Sequence, residues 1–426
     1  MSLWIDKPDT LQREKVHIKA RQLKPFQTYK MIMRLKHKYG AHAAYAVFKA
    51  DASGEIDVPS SRPLRGTYFE ADPMGLFLSQ TATPEFDFGG YLRCSPPVPF
   101  VYRLELYDDR EVLIDTLLMK KHWMHPNLTR TEIEENGFCG TLFKPPGDGP
   151  FPCVIDISGT GGGLHEHKGA MLASEGFLVL SLAFFQYKSL VSRLEEVDIS
   201  YFKKAIDWLI SRPDTVDFIG IQGVSFGATI VDILSTRFPE IKVVVSINGP
   251  FLQNRYCTLR ENGVALQEAE LDQSKIRFIN RVLATDHILD KLVPTPETII
   301  PFDRVAKDVA YRFVASTDDL VNNSLYASRQ KIRQLRESGH NKLEIDIVSG
   351  GHIMEPPYFP HHHVVYAKNQ GFYCGYGGEV LLHCRSQEQS WLRTISFFSK
   401  HLGTPLEMPD WDRELIIAEP TPYSKL

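Results

Sequence analysis

The chain has 426 residues, enough for two or three domains of ordinary size. Its 43% hydrophobic and 23% charged content is that of a soluble globular protein, and a net charge of −4 leaves no nucleic-acid footprint. The longest apolar run, from Phe177 to Phe185 with Ser181 inside it, is far too short for a bilayer, so no integral membrane segment is expected.

The opening residues Met1-Ser2-Leu3-Trp4-Ile5-Asp6-Lys7 lack the apolar core of a secretory signal. Cys94, Cys139, Cys153, Cys257, Cys374 and Cys384 are scattered without CxxC spacing, as expected of reduced thiols. Residues 1–135 are expected to be all-β. Tyr102, Leu104 and Leu106 alternate with Arg103 and Glu105, then break at Asp108-Asp109-Arg110 before Val112, Ile114 and Leu117, which is a hairpin pattern. Met31-Ile32-Met33-Arg34-Leu35 and Ala44-Tyr45-Ala46-Val47-Phe48 have similar character, with turn clusters at Ala52-Ser53-Gly54, Pro59-Ser60-Ser61 and Ser95-Pro96-Pro97. Short strands with regular turns suggest a β-sandwich, and a β-barrel is the alternative.

A domain boundary is expected near residues 125–140, and a second domain over 136–415. Strands and helices alternate there, which predicts a mostly parallel sheet with helices on both faces. Strands are expected at 152–157, 177–182, 218–224, 243–247, 311–315 and 343–348. Helices are expected at 169–175, from the Asp198 cap to the residues before Pro213, after Ser225 to about 238, at 324–337 and at 386–401. Residues 250–308 break this rhythm and hold Pro294, Pro296 and Pro301; a helical cap insertion is expected there. A Gly-, Pro- and aromatic-rich excursion spans 350–384.

The chemistry concentrates on Gly223-Val224-Ser225-Phe226-Gly227, a G-x-S-x-G run between an apolar strand and a helix. Such an elbow lifts a serine hydroxyl above the sheet, with glycines where a Cβ would crowd the strand–helix approach. A serine hydroxyl needs a base, the base an orienting acid, and the tetrahedral intermediate N–H donors. Asp318-Asp319 follows the strand at 311–315 and His352 follows the strand at 343–348, in the order serine, acid, histidine. Both fall in loops at strand C-terminal ends, where open α/β sheets place their sites. The candidate oxyanion donors are the Phe226 N–H and a glycine N–H of Ser158-Gly159-Thr160-Gly161-Gly162-Gly163, with Gly161 and Gly162 the expected contributors. A dinucleotide-binding reading of that loop fits less well, because its spacing is not G-x-G-x-x-G. His165-Glu166-His167 and His361-His362-His363 could offer imidazoles to a metal, but the first lacks a matching downstream Asp-His pair and the second lies in a Pro-rich excursion. No metal or redox cofactor is implied.

With these residues in place, the chain resembles the family of type I acyl-CoA thioesterases and bile-acid-CoA:amino-acid N-acyltransferases. The similarity runs through Arg65-Gly66-Thr67-Tyr68-Phe69, Asp72-Pro73-Met74-Gly75-Leu76, the loop Gly159-Thr160-Gly161-Gly162-Gly163-Leu164 and the elbow Gly223-Val224-Ser225-Phe226-Gly227-Ala228. Its most specific stretch is Gly351-His352-Ile353-Met354-Glu355-Pro356-Pro357-Tyr358-Phe359-Pro360, followed by Gly377-Gly378-Glu379. The resemblance implies an α/β-hydrolase domain preceded by an all-β immunoglobulin-like sandwich domain. It implies Ser225 as nucleophile, His352 as base and Asp319 as acid, with Asp318 as the fallback because one residue fewer separates acid from histidine. It implies acyl-CoA as substrate and hydrolysis to free acid and CoA, since the family's acyltransferase branch carries cysteine at the elbow. Transfer to glycine or taurine, or acyl-CoA binding without catalysis, are the alternatives. Over residues 416–426, Ser424-Lys425-Leu426 reads as a peroxisomal address, with a peroxisomal import receptor as the expected partner.

Overall fold

The computed structural model of the chain describes residues 1–83, 90–134, 136–254, 258–290, 294–367 and 371–409. Two units emerge, the first spanning Met1–Asn127 and taking back Tyr358–His361, the second spanning Leu128–Pro357 with His362–Glu407. The boundary after Asn127 lies eight residues before the expected 135, because Thr129–Ile133 pairs with Cys139–Lys144 and so enters the second unit's sheet.

In the first unit, alternation decides the strands. Thr28–His37 buries Tyr29, Met31, Met33 and Leu35 and leaves the residues between them partly exposed. It pairs antiparallel with Gly40–Lys49 and with Phe100–Tyr107, and the latter forms the expected hairpin with Leu113–His122. These belong to a seven-stranded sheet; Ser2–Ile5, Ile18–Arg21 and Ile56–Asp57 form a second sheet of three. The two sheets make the β-sandwich domain.

The second unit is an α/β-hydrolase domain. Its strands are β1 (Thr129–Ile133), β2 (Cys139–Lys144), β3 (Phe151–Ile157), β4 (Leu178–Ala183), β5 (Thr215–Val224), β6 (Ile241–Ile247), β7 (Ala310–Ser316) and β8 (Leu343–Val348). They lie in the order β1-β2-β4-β3-β5-β6-β7-β8. Pairing is antiparallel from β1 to β2 and β2 to β4, and parallel across the rest. The helices are α1 (His167–Ala173), α2 (Ile199–Ile210), α3 (Phe226–Ser235), α4 (Ser324–Glu337) and α5 (Val380–Leu402). Asp198 caps α2 by accepting the Ser200 N–H at 2.9 Å, and Ile199, Phe202, Ile206 and Leu209 join Ile219 and Ile221 of β5 in one core. The register sets Ile157 beside Gly223, Val224 beside Ile247, Ile247 beside Val314, and Ser316 beside Val348. The loops leaving β3, β5, β6, β7 and β8 therefore start along one sheet edge. Among the described residues, no helix is long and apolar enough to cross a membrane.

The expected helical cap is a correction. Among the described residues of 250–308 there is no α-helix; the segment holds paired strands Arg260–Glu261 and Val264–Ala265, paired strands Arg277–Ile279 and Val282–Ala284, and two single 3₁₀ turns. The reason is turn chemistry. Asn262 (φ 53°) with Gly263 (φ 78°), and Asn280 (φ 49°) with Arg281 (φ 68°), make two-residue hairpin loops with both central residues left-handed. The second hairpin joins Phe372–Gly375 and Val364–Ala367 into a four-stranded sheet, so the two interruptions of the α/β rhythm form one structure.

Candidate active site

Ser225 stands between β5 and α3 with φ 58° and ψ −122°, a backbone conformation that a residue with a Cβ adopts only under strain of about 1–3 kcal/mol. Its N–H donates to the Ile247 carbonyl at 2.9 Å, which holds the strained residue down. Close approach also dictates the two glycines. A Cβ on Gly223 would lie 2.2 Å from the Gly227 carbonyl oxygen, and one on Gly227 would lie 2.5 Å from the Ser158 oxygen and 2.6 Å from the Ile157 oxygen. The elbow is thus packed against the end of β3.

His352 enters from the loop after β8. Its N–H donates to the Tyr376 carbonyl at 2.7 Å, and its ring sits 5.6 Å from the Tyr376 ring. His352 Nε2 is 2.7 Å from Ser225 Oγ, and His352 Nδ1 is 2.9 Å from Asp319 Oδ2. A carboxylate accepts only, so Nδ1 carries the proton and Nε2 is left to accept the serine hydroxyl. Asp319 Oδ1 also accepts the N–H groups of Val321 (2.8 Å) and Asn322 (3.0 Å), and Oδ2 accepts the Ser324 hydroxyl (2.5 Å). Asp319 and His352 are buried, whereas Ser225 is partly exposed. Asp318 points elsewhere: its Oδ2 accepts the Gly378 N–H at 3.0 Å. The geometry therefore brings together Ser225, His352 and Asp319, and leaves the fallback Asp318 outside the line. Such a line can draw the hydroxyl proton onto the imidazole and make the oxygen nucleophilic.

Phe226 opens α3, where the first backbone N–H groups have no acceptor within the helix and the dipole favours negative charge. Of the loop glycines, Gly159 lies against the serine: a Cβ there would meet Ser225 Cβ at 3.2 Å and Oγ at 3.6 Å. A Cβ on Gly161 would lie 3.7 Å from His165 Nε2, and one on Gly162 2.6 Å from Gln186 Oε1. The Gly163 N–H is used by the Phe185 carbonyl. The glycine beside Ser225 is thus the first after β3, a position that sequence reasoning passed over in favour of Gly161 and Gly162.

A buried charged cluster lies on the same unit. Asp156, one residue before the end of β3, accepts from Gln222 Nε2 of β5 at 2.9 Å; burial raises its carboxyl above the usual range against the pull of Lys168 and that hydrogen bond. His167 Nε2 and Lys168 Nζ of α1 meet Glu355 Oε2 at 2.7 and 3.2 Å. The His167 imidazole thus faces a carboxylate three residues beyond His352. His165 Nε2 faces the Gly162 carbonyl at 3.1 Å. Asn248 and Ser324 also reach the site and were not singled out from sequence; the only local signal for Asn248 was an Asn-Gly pair directly after an apolar strand. Ser424, Lys425 and Leu426 lie outside the described residues.

Two family profiles match the chain. One, described as "BAAT / Acyl-CoA thioester hydrolase C terminal", matches residues 197–404, and one described as "Acyl-CoA thioester hydrolase/BAAT N-terminal region" matches residues 13–135. Among curated proteins, the chain is 30% identical over 401 residues to "Peroxisomal succinyl-coenzyme A thioesterase" of Mus musculus, covering 92% of this chain and 94% of that one. It is 30% identical to "Acyl-coenzyme A thioesterase 1" of Homo sapiens, with the same coverage of each chain. It is 31% identical to "Acyl-coenzyme A amino acid N-acyltransferase 1" of Mus musculus, covering 92% of this chain and 96% of that one.

Proposed function

Because this chain belongs to the acyl-CoA thioester hydrolase and bile-acid-CoA:amino-acid N-acyltransferase family, we propose that it hydrolyses acyl-CoA thioesters through an acyl-serine intermediate. The observation that carries the reading is the hydrogen-bonded line from Ser225 Oγ through His352 to Asp319. Ser225 Oγ attacks the thioester carbonyl carbon as His352 Nε2 takes its proton. The Phe226 N–H and an N–H of the 158–163 loop hold the oxyanion. Collapse breaks the carbon–sulfur bond, and the imidazolium returns its proton to the departing CoA thiolate. Water then gives a proton to His352 Nε2 and attacks the ester; the second collapse frees the acid and restores the Ser225 hydroxyl. Asp319 holds the imidazole tautomer throughout.

Serine rather than cysteine at position 225 favours water as the acyl acceptor, since an acyl-serine ester deacylates to water more readily and an acyl-cysteine thioester is better suited to an amine. The proposal includes a peroxisomal location, supported by Ser424-Lys425-Leu426 and by the similarity to the peroxisomal succinyl-coenzyme A thioesterase of Mus musculus. Thiol release measured across a panel of acyl-CoA esters, with and without glycine or taurine, tests the reaction and finds the acyl preference. Free acid and CoA in equal amounts are expected, and Ser225→Ala lowers kcat at least about a thousandfold. An N-acyl amino acid as the main product would assign the chain to acyl transfer instead.

A further inference from the structure

We infer that Asn248 is a positioning residue that sets the alignment of Ser225 with His352; the inference rests on the roles given above to Ser225, His352 and Asp319. Asn248 follows β6 directly, with φ 52°, a left-handed conformation that asparagine tolerates better than most residues. It is buried to 1% exposure. Its own N–H donates to the Val314 carbonyl of β7 at 3.0 Å, while the preceding carbonyl, Ile247, accepts the Ser225 N–H at 2.9 Å.

The side chain joins two further loops. Asn248 Oδ1 accepts the Ser316 N–H at 2.8 Å. Nδ2 donates to the His352 carbonyl at 2.7 Å and to Ser316 Oγ at 2.9 Å, with the Gly351 carbonyl at 3.3 Å. These partners fix the amide orientation, because the two carbonyls only accept and the Ser316 N–H only donates. The Asn248 carbonyl accepts Asn322 Nδ2 at 2.9 Å, and the Asn322 N–H is one of the donors on Asp319 Oδ1.

One residue thus touches the strand end that anchors Ser225, the end of the strand leading to Asp319, the acid loop and the backbone of the base. The consequence falls on His352. Its N–H is held by Tyr376 and its carbonyl by Asn248, so both peptide groups flanking its Cα are fixed. Little beyond the side-chain torsions remains free, and Asp319 and Ser225 set those. Only an amide on a one-carbon stem supplies the required donor and acceptor at this reach. Aspartate keeps the acceptor for Ser316 N–H but turns an oxygen toward the carbonyls of Gly351 and His352. Glycine keeps the positive φ and removes the side chain.

The test compares Asn248→Gly and Asn248→Asp with Ser225→Ala and with Ile241→Ala, a cavity variant at the opposite end of β6, where Ile241 is fully buried. For each full-length protein, kcat and KM of acyl-CoA thiol release, the rate of Ser225 labelling by a fluorophosphonate, and the thermal midpoint are measured. Both Asn248 variants are expected to fold, to lose about a hundredfold in kcat with KM within about twofold, and to label more slowly in step. Ile241→Ala is expected to lose thermal stability while keeping kcat near wild type. The inference is overturned if the Asn248 variants keep kcat within a few-fold of wild type, or if their loss only follows the thermal midpoint as it does in Ile241→Ala. Should neither Asn248 variant fold, Asn322→Ala removes the acid-loop link alone; a several-fold loss of kcat at constant KM supports the inference, and unchanged kcat overturns it. Full turnover by Ser225→Ala would sink the underlying reading, whereas an inactive Ser225→Ala beside fully active Asn248 variants sinks the inference alone.

Discussion

Asp319 takes two hydrogen bonds on each carboxylate oxygen, from Val321 and Asn322 on one and from Ser324 and His352 on the other. Its neighbour Asp318 accepts from Gly378. Two adjacent residues of the same type therefore have separable roles, and this gives a direct comparison. Asp319→Asn keeps the shape but presents an amide where Nδ1–H needs an acceptor on Oδ2, so kcat is expected to fall by about 10⁴-fold. Asp318→Asn can still accept the Gly378 N–H through its amide oxygen and is expected to keep kcat within a few-fold of wild type. Steady-state thiol release from both variants checks the assignment, and the reverse order of losses would move the acid to Asp318. From sequence the pair was ambiguous for a physical reason. An aspartate after a strand and before a helix is equally suited to capping a turn, and Asp319 does so while also facing His352. Asn248 was harder still to see, because its partners lie at Ser316, Asn322, Gly351 and His352, and no local pattern marks a residue whose role comes from distant segments.

At the level of elements, the elbow was the most legible part of the chain, since its requirements are local. Gly223 and Gly227 sit where a Cβ would strike backbone oxygen, and backbone cannot move aside as a flexible side chain can. Gly227→Ala is expected to push the α3 start away from Ser158 and Ile157, at a cost of about 1–3 kcal/mol in stability. Calorimetry with fluorophosphonate labelling reads both effects: a lowered thermal midpoint and loss of Ser225 labelling in folded protein. Labelling at the wild-type rate would show that the close approach does not set the serine. The amphipathic helix α2 was equally plain, because its Asp198 cap and its apolar spacing agree with each other. The inserted segment misled because its strands are two or three residues long, too short for alternation to register. Its turn residues, Asn262-Gly263 above all, were the better guide. Helix α5 starts at Val380, six residues before the expected start, with the Glu379 side chain accepting the Leu382 N–H at 2.8 Å as its cap.

For the whole molecule, a strand-rich first domain and a mostly parallel sheet with helices in the second were readable from period and alternation, whereas the return of Tyr358–His361 to the first unit was not. Composition changes mark where a chain leaves one domain; a four-residue return inside an aromatic, proline-rich stretch has no such mark. The proposed address is also a property of the whole chain. A fluorescent fusion keeping Ser424-Lys425-Leu426 at its end is expected to collect in peroxisomes, and removing those three residues is expected to leave it diffuse. Unchanged import after removal would place the signal elsewhere. The central claim is that an acyl group passes through Ser225. Mass spectrometry of protein quenched during acyl-CoA turnover tests it most directly. The account predicts an acyl adduct on Ser225 that forms with release of CoA and is missing from Ser225→Ala; an adduct on another residue, or wild-type CoA release by Ser225→Ala, would contradict it.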